Sequence, residues 1–264
     1  MTVHPNSKNF TDKVALITGS SRGIGLAIAN RLCQDGYRVV LNSSKEASLN
    51  EATQSLMKQY GETRIFGVQS DVSDESSVRQ MFERIHSHWG RLDVLMNNAG
   101  ISPRLNGEKP TVETTPAEHW LQTIAINLTG TFYTCKYALP MMKPQGWGRI
   151  INMSSQAGRM FTGFASAHYS ASKAGIIGFS RVLAGEVGEF GITVNCISPG
   201  TIQTSMAASY AKAQEVEDIY RARTPLKRIG EVQDVVGAVS FLAGTESNFM
   251  TGSVIDVSGG FYMP

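Results

Sequence analysis

Val14-Ala15-Leu16-Ile17-Thr18-Gly19-Ser20-Ser21-Arg22-Gly23-Ile24-Gly25 is the stretch whose reading decides the fold. Its first four residues are aliphatic without alternation, the pattern of a strand buried on both faces. Glycines then interrupt the chain, and a run with helical periodicity follows directly. In a strand-turn-helix unit, glycines let the backbone turn sharply and approach a pyrophosphate, whose charge the N-terminus of the next helix stabilises. The spacing Gly-x-x-x-Gly-x-Gly differs from Gly-x-Gly-x-x-Gly, so the glycines alone weigh little; their place after an N-terminal strand points to a dinucleotide. Gly19, Ser21, Arg22, Gly23, Ile24 and Gly25 are the expected contacts.

Outward from this unit, apolar runs at 14–18, 38–41, 64–68, 94–96, 150–153, 193–197 and 254–257 read as strands rich in β-branched and aliphatic residues. Helices fit between them at 24–34, 46–59, 75–88, 117–134, 168–187 and 231–243. The alternation predicts an α/β protein: a single-domain Rossmann fold with a doubly wound parallel sheet of seven strands flanked by helices. No repeat, low-complexity stretch or Pro/Gly/Ser linker divides it, so 13–264 reads as one domain behind a polar tail at 1–12. A chain of 264 residues with 42% hydrophobic residues can bury a substantial core.

The tail has no apolar h-region and no arginine, which argues against a secretory or transit peptide, and no apolar run approaches the ~18 residues of a membrane span. A soluble, cytoplasmic protein is expected. The formal charge of +2, from 24 basic and 22 acidic residues, gives no electrostatic case for nucleic acid or a membrane. Cys33, Cys135 and Cys196 are widely spaced, with no Cys-x-x-Cys pair, which argues against a disulfide framework or a metal site.

The end of the second strand bears on the cofactor. NAD-preferring enzymes generally place Asp or Glu there to bind the ribose 2′-hydroxyl. Here stand Asn42, Ser43, Ser44 and Lys45, and Arg22 and Lys45 can attract a 2′-phosphate. NADPH is the expected cofactor, with NADH the alternative. Asp71 and Val72 follow the third strand, and Asn97-Asn98-Ala99-Gly100 the fourth, at the carboxyl ends where open α/β sheets bind ligands. Asp71 is suited to an adenine amino group, and 97–100 to the border of the adenosine half; turn chemistry is the competing reading of both.

In Tyr169-Ser170-Ala171-Ser172-Lys173, the first and last residues lie one turn apart on one helix face. A phenol titrates near ~10, and an ammonium held close by can supply the ~3 units, roughly 4 kcal/mol, that a proton donor working near neutrality needs. Of the eight tyrosines only Tyr169 has a lysine four residues on. Alone, such a pair is usually a surface accident.

Taken together, Thr18 to Gly25, Asn97 to Gly100, Asn127 in Asn-Leu-Thr-Gly, Ser155 in Asn-Met-Ser-Ser-Gln-Ala-Gly, Tyr169 to Lys173, and Pro199-Gly200 stand in an order that resembles the classical short-chain dehydrogenase/reductases. The resemblance covers residues 12–262 and implies hydride transfer between a nicotinamide cofactor and a carbonyl or alcohol. It assigns Tyr169 as general acid in reduction. Lys173 is to hold the nicotinamide ribose and lower the Tyr169 pKa, Ser155 to hydrogen-bond the substrate carbonyl, and Asn127 to anchor a water leading from Lys173 to solvent. Pro199, Gly200, Ile202 and Thr204 are then the nicotinamide turn, 205–224 a mobile substrate lid, and the assembly a homotetramer.

Motif phrasing is most similar to the 3-oxoacyl-(acyl-carrier-protein) reductases, with two departures. Where those carry basic residues for an acidic carrier protein, this chain has Gly146-Trp147 and Gly185, which argues against acyl carrier protein as a partner. The stretch Ile101 to Trp120 is also longer and rich in Pro, Thr and Glu at the expected site mouth, where loops set specificity. A small-molecule ketone or aldehyde is the expected substrate, with Phe161, Phe164 and His168 as candidates to line an apolar pocket. The alternatives are an NAD(H)-linked dehydrogenase of a sugar, polyol, steroid or other secondary alcohol, and a non-catalytic dinucleotide-binding regulator. Intact Asn127, Ser155, Tyr169 and Lys173 count against the regulator.

Overall fold

Successive residues of a strand point to opposite faces of the sheet, and this chain uses that alternation to build two cores at once. A computed structural model of the chain describes residues 13–204 and 213–264. In β1 (Val14–Ile17) and β2 (Arg38–Ser43), Ala15, Ile17, Val39 and Leu41 pack against Ile28 and Leu32 of α1 (Gly23–Gln34) and Val235 and Val239 of α8 (Val232–Ala243). Val14, Leu16 and Val40 face the other way, onto Val78, Met81 and Ile85 of α3 (Glu75–Trp89) and Leu183 and Val187 of α6 (Ala167–Val187).

The remaining strands are β3 (Ile65–Gln69), β4 (Val94–Asn97), β5 (Gly148–Met153), β6 (Ile192–Pro199) and β7 (Val254–Val257). All seven pair in parallel in the order β3-β2-β1-β4-β5-β6-β7. The sequence direction reverses between β1 and β4, which opens the crevice where such sheets take ligands. All seven expected strands are present, with β2, β4, β5 and β6 running longer than the apolar runs alone indicate.

The helix expected at 117–134 differs. It is α4 (Ala117–Thr123), a π-helical segment (Ile124–Thr129) and α5 (Gly130–Met142), which continues through Pro140. A proline inside a helix costs a backbone hydrogen bond. Burial of Cys135, Ala138 and Met142 on the same helix outweighs it. α2 (Glu46–Tyr60) covers β2 and β3, and α7 (Ala213–Arg223) lies in the region read as a lid. Residues 205–212 of that lid, and the 1–12 tail, lie outside the described residues.

Among the described residues no helix is long and apolar enough to cross a membrane, and no group of three or more His, Cys, Asp or Glu could hold a metal. The three cysteines are buried and unbridged.

Candidate active site

Conformation explains the glycines of the first loop. Gly19 has φ of +62°, and a Cβ on it would lie 2.9 Å from the Ala99 Cα; a Cβ on Gly25 would lie 2.4 Å from the Gly19 carbonyl oxygen. The loop therefore lies flat against the exit of β4 and is laced to it. Asn98 and Ala99 donate backbone N–H groups to Thr18 Oγ1 at 3.0 and 3.1 Å, and Asn98 Nδ2 donates to the carbonyls of Thr18 and Gly19 at 3.0 and 3.1 Å. Arg22, the N-cap residue of α1, makes no side-chain capping bond, so the first-turn N–H groups of α1 present an uncapped positive end to the crevice. This cradle fits a dinucleotide pyrophosphate.

Beside it, Ser48 Oγ donates to Ser21 Oγ and Ser21 Oγ to Ser43 Oγ, each at 3.2 Å, joining the glycine loop to the turn after β2. Arg22, Ser44 and Lys45 are exposed around this hydroxyl chain. Asn42 is buried and spent: its Nδ2 donates to the carbonyls of Val68 and Ser70.

At the far edge the residues expected near the adenosine half are held in different ways, and one of them, Asn97, is corrected. Asp71 turns one carboxylate oxygen back on Ser73, accepting its N–H at 2.9 Å and its hydroxyl at 2.7 Å, so that oxygen serves a turn. Val72 packs its side chain and its carbonyl oxygen where Gly130 starts α5: a Cβ on Gly130 would lie 3.0 Å from both Val72 Cγ2 and Val72 O. Asn97 leaves the crevice altogether: its Nδ2 donates to Asn152 Oδ1 at 2.8 Å and its Oδ1 accepts from Thr134 Oγ1 at 2.6 Å, a polar knot inside the core.

Tyr169 and Lys173 lie on the first turns of α6. Lys173 Nζ sits 5.6 Å from the Tyr169 ring centroid and donates to the Met153 carbonyl at 2.7 Å. Only 3% of Lys173 is exposed, and burial lowers its pKa from 10.5 to about 8. Asn127 is placed by the π-helical segment, a feature frequent at functional sites, and is fully buried. Its amide is occupied: Oδ1 accepts the Ile101 N–H at 2.8 Å, while Nδ2 donates to the Ile101 carbonyl and to Ser172 Oγ, both at 3.0 Å. Gly100 makes room for this, since a Cβ there would lie 3.3 Å from Asn127 Oδ1 and 3.5 Å from Lys173 Nζ.

Hydrogen bonding separates the two candidate serines. Ser154 Oγ gives its proton to the Lys173 carbonyl at 2.9 Å. Ser155 Oγ instead accepts the Ala157 N–H at 3.2 Å, so its own proton can point outward. Gly158 lets this turn touch α6, because a Cβ on it would lie 2.6 Å from the Lys173 carbonyl carbon.

Ser155 and Tyr169 open on one cavity of about 410 Å³, floored by the Pro199-Gly200 turn and bordered by Ile202 and Thr204. Ile202 bridges Gly230 through the flanking groups, Thr201 O and Gln203 N, which turns its own N–H to the opposite side. The long stretch after β4 reaches this cavity through Ser102 and Arg104. It is built as a tight hairpin in which Leu105 and Glu108 exchange backbone bonds across Asn106 and Gly107, both at positive φ. Arg104 Nη2 donates to the Phe164 carbonyl at 2.9 Å, latching that hairpin to the segment before α6.

Of the three side chains expected to line a pocket, only Phe164 does. Phe161 is 85% exposed. His168 is fully buried beside Thr123: Thr123 Oγ1 gives its proton to the His119 carbonyl at 2.7 Å, so His168 Nδ1, 3.1 Å away, is the donor between them. Burial, with His119 and Arg104 nearby, lowers the His168 pKa. Two contributors went unread in the sequence. Ser172 is a small residue without a signal of its own, and Gln156 draws its significance only from what it meets in space.

The chain is similar to known proteins over nearly its whole length. A family model described as enoyl-(acyl carrier protein) reductase matches residues 19–262. The 3-oxoacyl-(acyl-carrier-protein) reductase FabG of Escherichia coli strain K12 is 37% identical over 255 residues, covering 97% of this chain and 99% of that protein. A crystal structure of a 3-oxoacyl-(acyl-carrier-protein) reductase with bound NAD, from Brucella melitensis, superposes with a TM-score of 0.89 at 33% identity, covering 100% of this chain and 98% of that one. A structure from Agrobacterium tumefaciens provisionally described as a gluconate dehydrogenase superposes with the same TM-score of 0.89 at 32% identity, over 96% of this chain and 97% of the other.

Proposed function

The chain belongs to the short-chain dehydrogenase/reductase family, NAD(P)-dependent oxidoreductases acting on CH–OH and C=O groups, and from that we propose that it reduces a ketone or aldehyde using NADPH, in the manner of a 3-oxoacyl reductase. The observation that supports this reading is the convergence of Tyr169 and the outward-facing Ser155 on one cavity above the Pro199-Gly200 turn, with Lys173 buried beside the phenol. A bound nicotinamide would supply the hydride. Ser155 donates its free hydroxyl proton to the substrate oxygen, and Tyr169 delivers the proton that completes the alcohol. The Lys173 ammonium favours the phenolate this leaves behind. Asn127 is a positioning residue, tying the chain after Gly100 to Ser172 and thus to the Lys173 turn.

The exposed Arg22 and Lys45 support NADPH over NADH. A homotetramer is supported by apolar surface on the helices flanking the site, where Leu121, Phe132 and Val182 are exposed; light scattering measures it. A cytoplasmic location is part of the same reading, and fractionation tests it.

One observation favours a second reading, in which the substrate is a polyol or sugar derivative: the cavity wall carries Arg104, Gln156, Gln203 and Gln214 beside its apolar residues. A screen following NADPH oxidation with acetoacetyl thioesters, sugars, steroids and simple ketones decides between them. Tyr169→Phe tests the mechanism: turnover is expected to fall by about 10²-fold or more, and a variant reducing the best substrate at the wild-type rate refutes the assignment.

A further inference from the structure

We infer that Tyr220 sets the length of substrate the enzyme accepts: its ring is the partition between the substrate cavity and a second cavity, so that a ketone with a short alkyl chain is preferred to one with a long chain. The inference rests on the reading of the site as one that reduces a carbonyl, and it narrows the class of substrate for that reading.

Tyr220 belongs to α7 and is 5% exposed. It lines the cavity of about 410 Å³ on which Ser155 and Tyr169 open, and it also lines a second cavity of about 170 Å³. Among the described residues, Thr201, Tyr220 and Ile229 border both. Thr201 and the turn after Ile229 are fastened by backbone pairing: the Gly230 N–H donates to the Thr201 carbonyl at 2.9 Å, and the Gln203 N–H to the Gly230 carbonyl at 2.8 Å. The Tyr220 side chain is held from three sides. Gln156 Nε2 donates to its hydroxyl oxygen at 3.1 Å, and the rings of Phe164 and Phe261 stand 5.3 and 4.6 Å from its own. Swinging the ring aside would forfeit that bond and both aromatic contacts, so it serves as a fixed wall.

Behind this wall the second cavity suits hydrocarbon. Leu226, Ile229 and Val257 line it beside the Tyr220 ring. Its two charged residues answer each other: Arg228 Nη1 and Nη2 donate to Asp234 Oδ2 and Oδ1 at 2.6 and 2.9 Å, so neither calls for a charge on a ligand. A cavity of about 150 Å³ with apolar walls holds a benzene-sized group, so this one has room for several methylenes. While Tyr220 stands, that room is cut off from the reacting carbonyl. A chain that outgrows the first cavity must then strain its walls, the penalty of any overpacked site. With the ring removed, the two cavities join between Thr201 and Ile229, and each methylene that enters the second should add about three- to fourfold in affinity.

The test measures kcat/KM along two series, the N-acetylcysteamine thioesters from 3-oxobutanoyl to 3-oxodecanoyl and the methyl ketones from 2-butanone to 2-decanone. The enzymes are the full-length wild type, Tyr220→Phe, Tyr220→Ala and Tyr220→Ala combined with Thr224→Leu, with Tyr220→Leu in place of the alanine variant if melting curves show that variant unfolded. In the wild type, kcat/KM should fall by about tenfold or more from the best short member to the longest. Tyr220→Ala should raise the ratio of longest to shortest by about tenfold or more, whereas Tyr220→Phe, which keeps the ring, should hold it within about threefold of the wild type's. Thr224 also lines the second cavity, so a leucine there should cancel the gain by filling it. A wild type that reduces the longest member as well as the shortest overturns the inference without need of any variant. So does a folded Tyr220→Ala enzyme with the wild-type ratio, or a gain that survives Thr224→Leu, which would put the chain elsewhere. If carbonyl compounds are reduced without this dependence on length, the inference fails and carbonyl reduction stands; if none is reduced, both fall.

Discussion

Replacing Lys173 with methionine separates what the residue does for the fold from what it is proposed to do in the site. In the cofactor-free protein its ammonium is held where only 3% of the residue is exposed, and its pKa falls from 10.5 to about 8. A depression of that size corresponds to roughly 3 kcal/mol charged against the folded state whenever the group is protonated in both states. Both states are protonated below about pH 8, so the penalty is complete there. Between pH 8 and 10.5 the folded protein sheds the proton while the unfolded chain keeps it, and stability rises; above 10.5 both are neutral and the penalty is gone. Lys173→Met keeps a long side chain and removes the charge. It also strips the Met153 carbonyl of its donor, which costs about 1–3 kcal/mol at every pH. At pH 7 the variant should therefore be as stable as the wild type or up to about 2 kcal/mol more so, although it turns over no substrate. Urea unfolding of both proteins without cofactor, at one protein concentration and at pH 7, 8, 9 and 10, measures the difference directly. The wild type should gain on the variant as pH rises, by as much as ~3 kcal/mol at the alkaline end. Subtraction removes other groups in this range, Lys13 among them, whose pKa is also lowered by burial to about 8. A difference constant to within ~1 kcal/mol over this range would show that the buried ammonium carries no such penalty.

Arg22→Ala should raise the Kd for NADPH about five- to tenfold, the worth of an exposed charge-assisted contact to a phosphate, and leave that for NADH within about twofold; titration of cofactor fluorescence reads both, and equal shifts refute the 2′-phosphate argument. Gly158→Ala should lower both stability and turnover, because its Cβ would meet the Lys173 carbonyl carbon at 2.6 Å and the Ala174 nitrogen at 2.7 Å, backbone atoms with little room to yield. Overpacking of this kind costs about 1–3 kcal/mol, and a melting temperature equal to the wild type's refutes it.

The sheet was legible because its inner strands are buried on both faces and so read as aliphatic runs; β1, buried throughout, needed nothing else. The helix after Pro116 was not, because its extent depends on tertiary burial of Cys135, Ala138 and Met142, which carries α5 past Pro140 against local preference. The same division runs through the site. Tyr169 and Lys173 are one turn apart on one helix, so their juxtaposition follows from spacing alone. Asn97 and His168 were misplaced because Asn and His bind core partners as readily as ligands, and their partners, Asn152 and Thr123, are 55 and 45 residues away.

Ser155 and Gln156 show where sequence reading gives way to geometry. A motif can favour one serine over its neighbour, but the physical ground lies in where each proton goes, to the Lys173 carbonyl from Ser154 and outward from Ser155. For Gln156 no motif helps, since its amide acquires a direction only when Tyr220, 64 residues later, binds its nitrogen and leaves its oxygen over Gly200. The groups proposed to carry the reaction are thus spaced by a helix and a turn, whereas Gln156 on the cavity wall is oriented across the fold by a different helix. Substitutions in α7 are therefore expected to change how the cavity takes its substrate more than the reaction itself, so Tyr220→Phe should raise KM more than it lowers kcat, and a fall in kcat with KM unchanged would refute this.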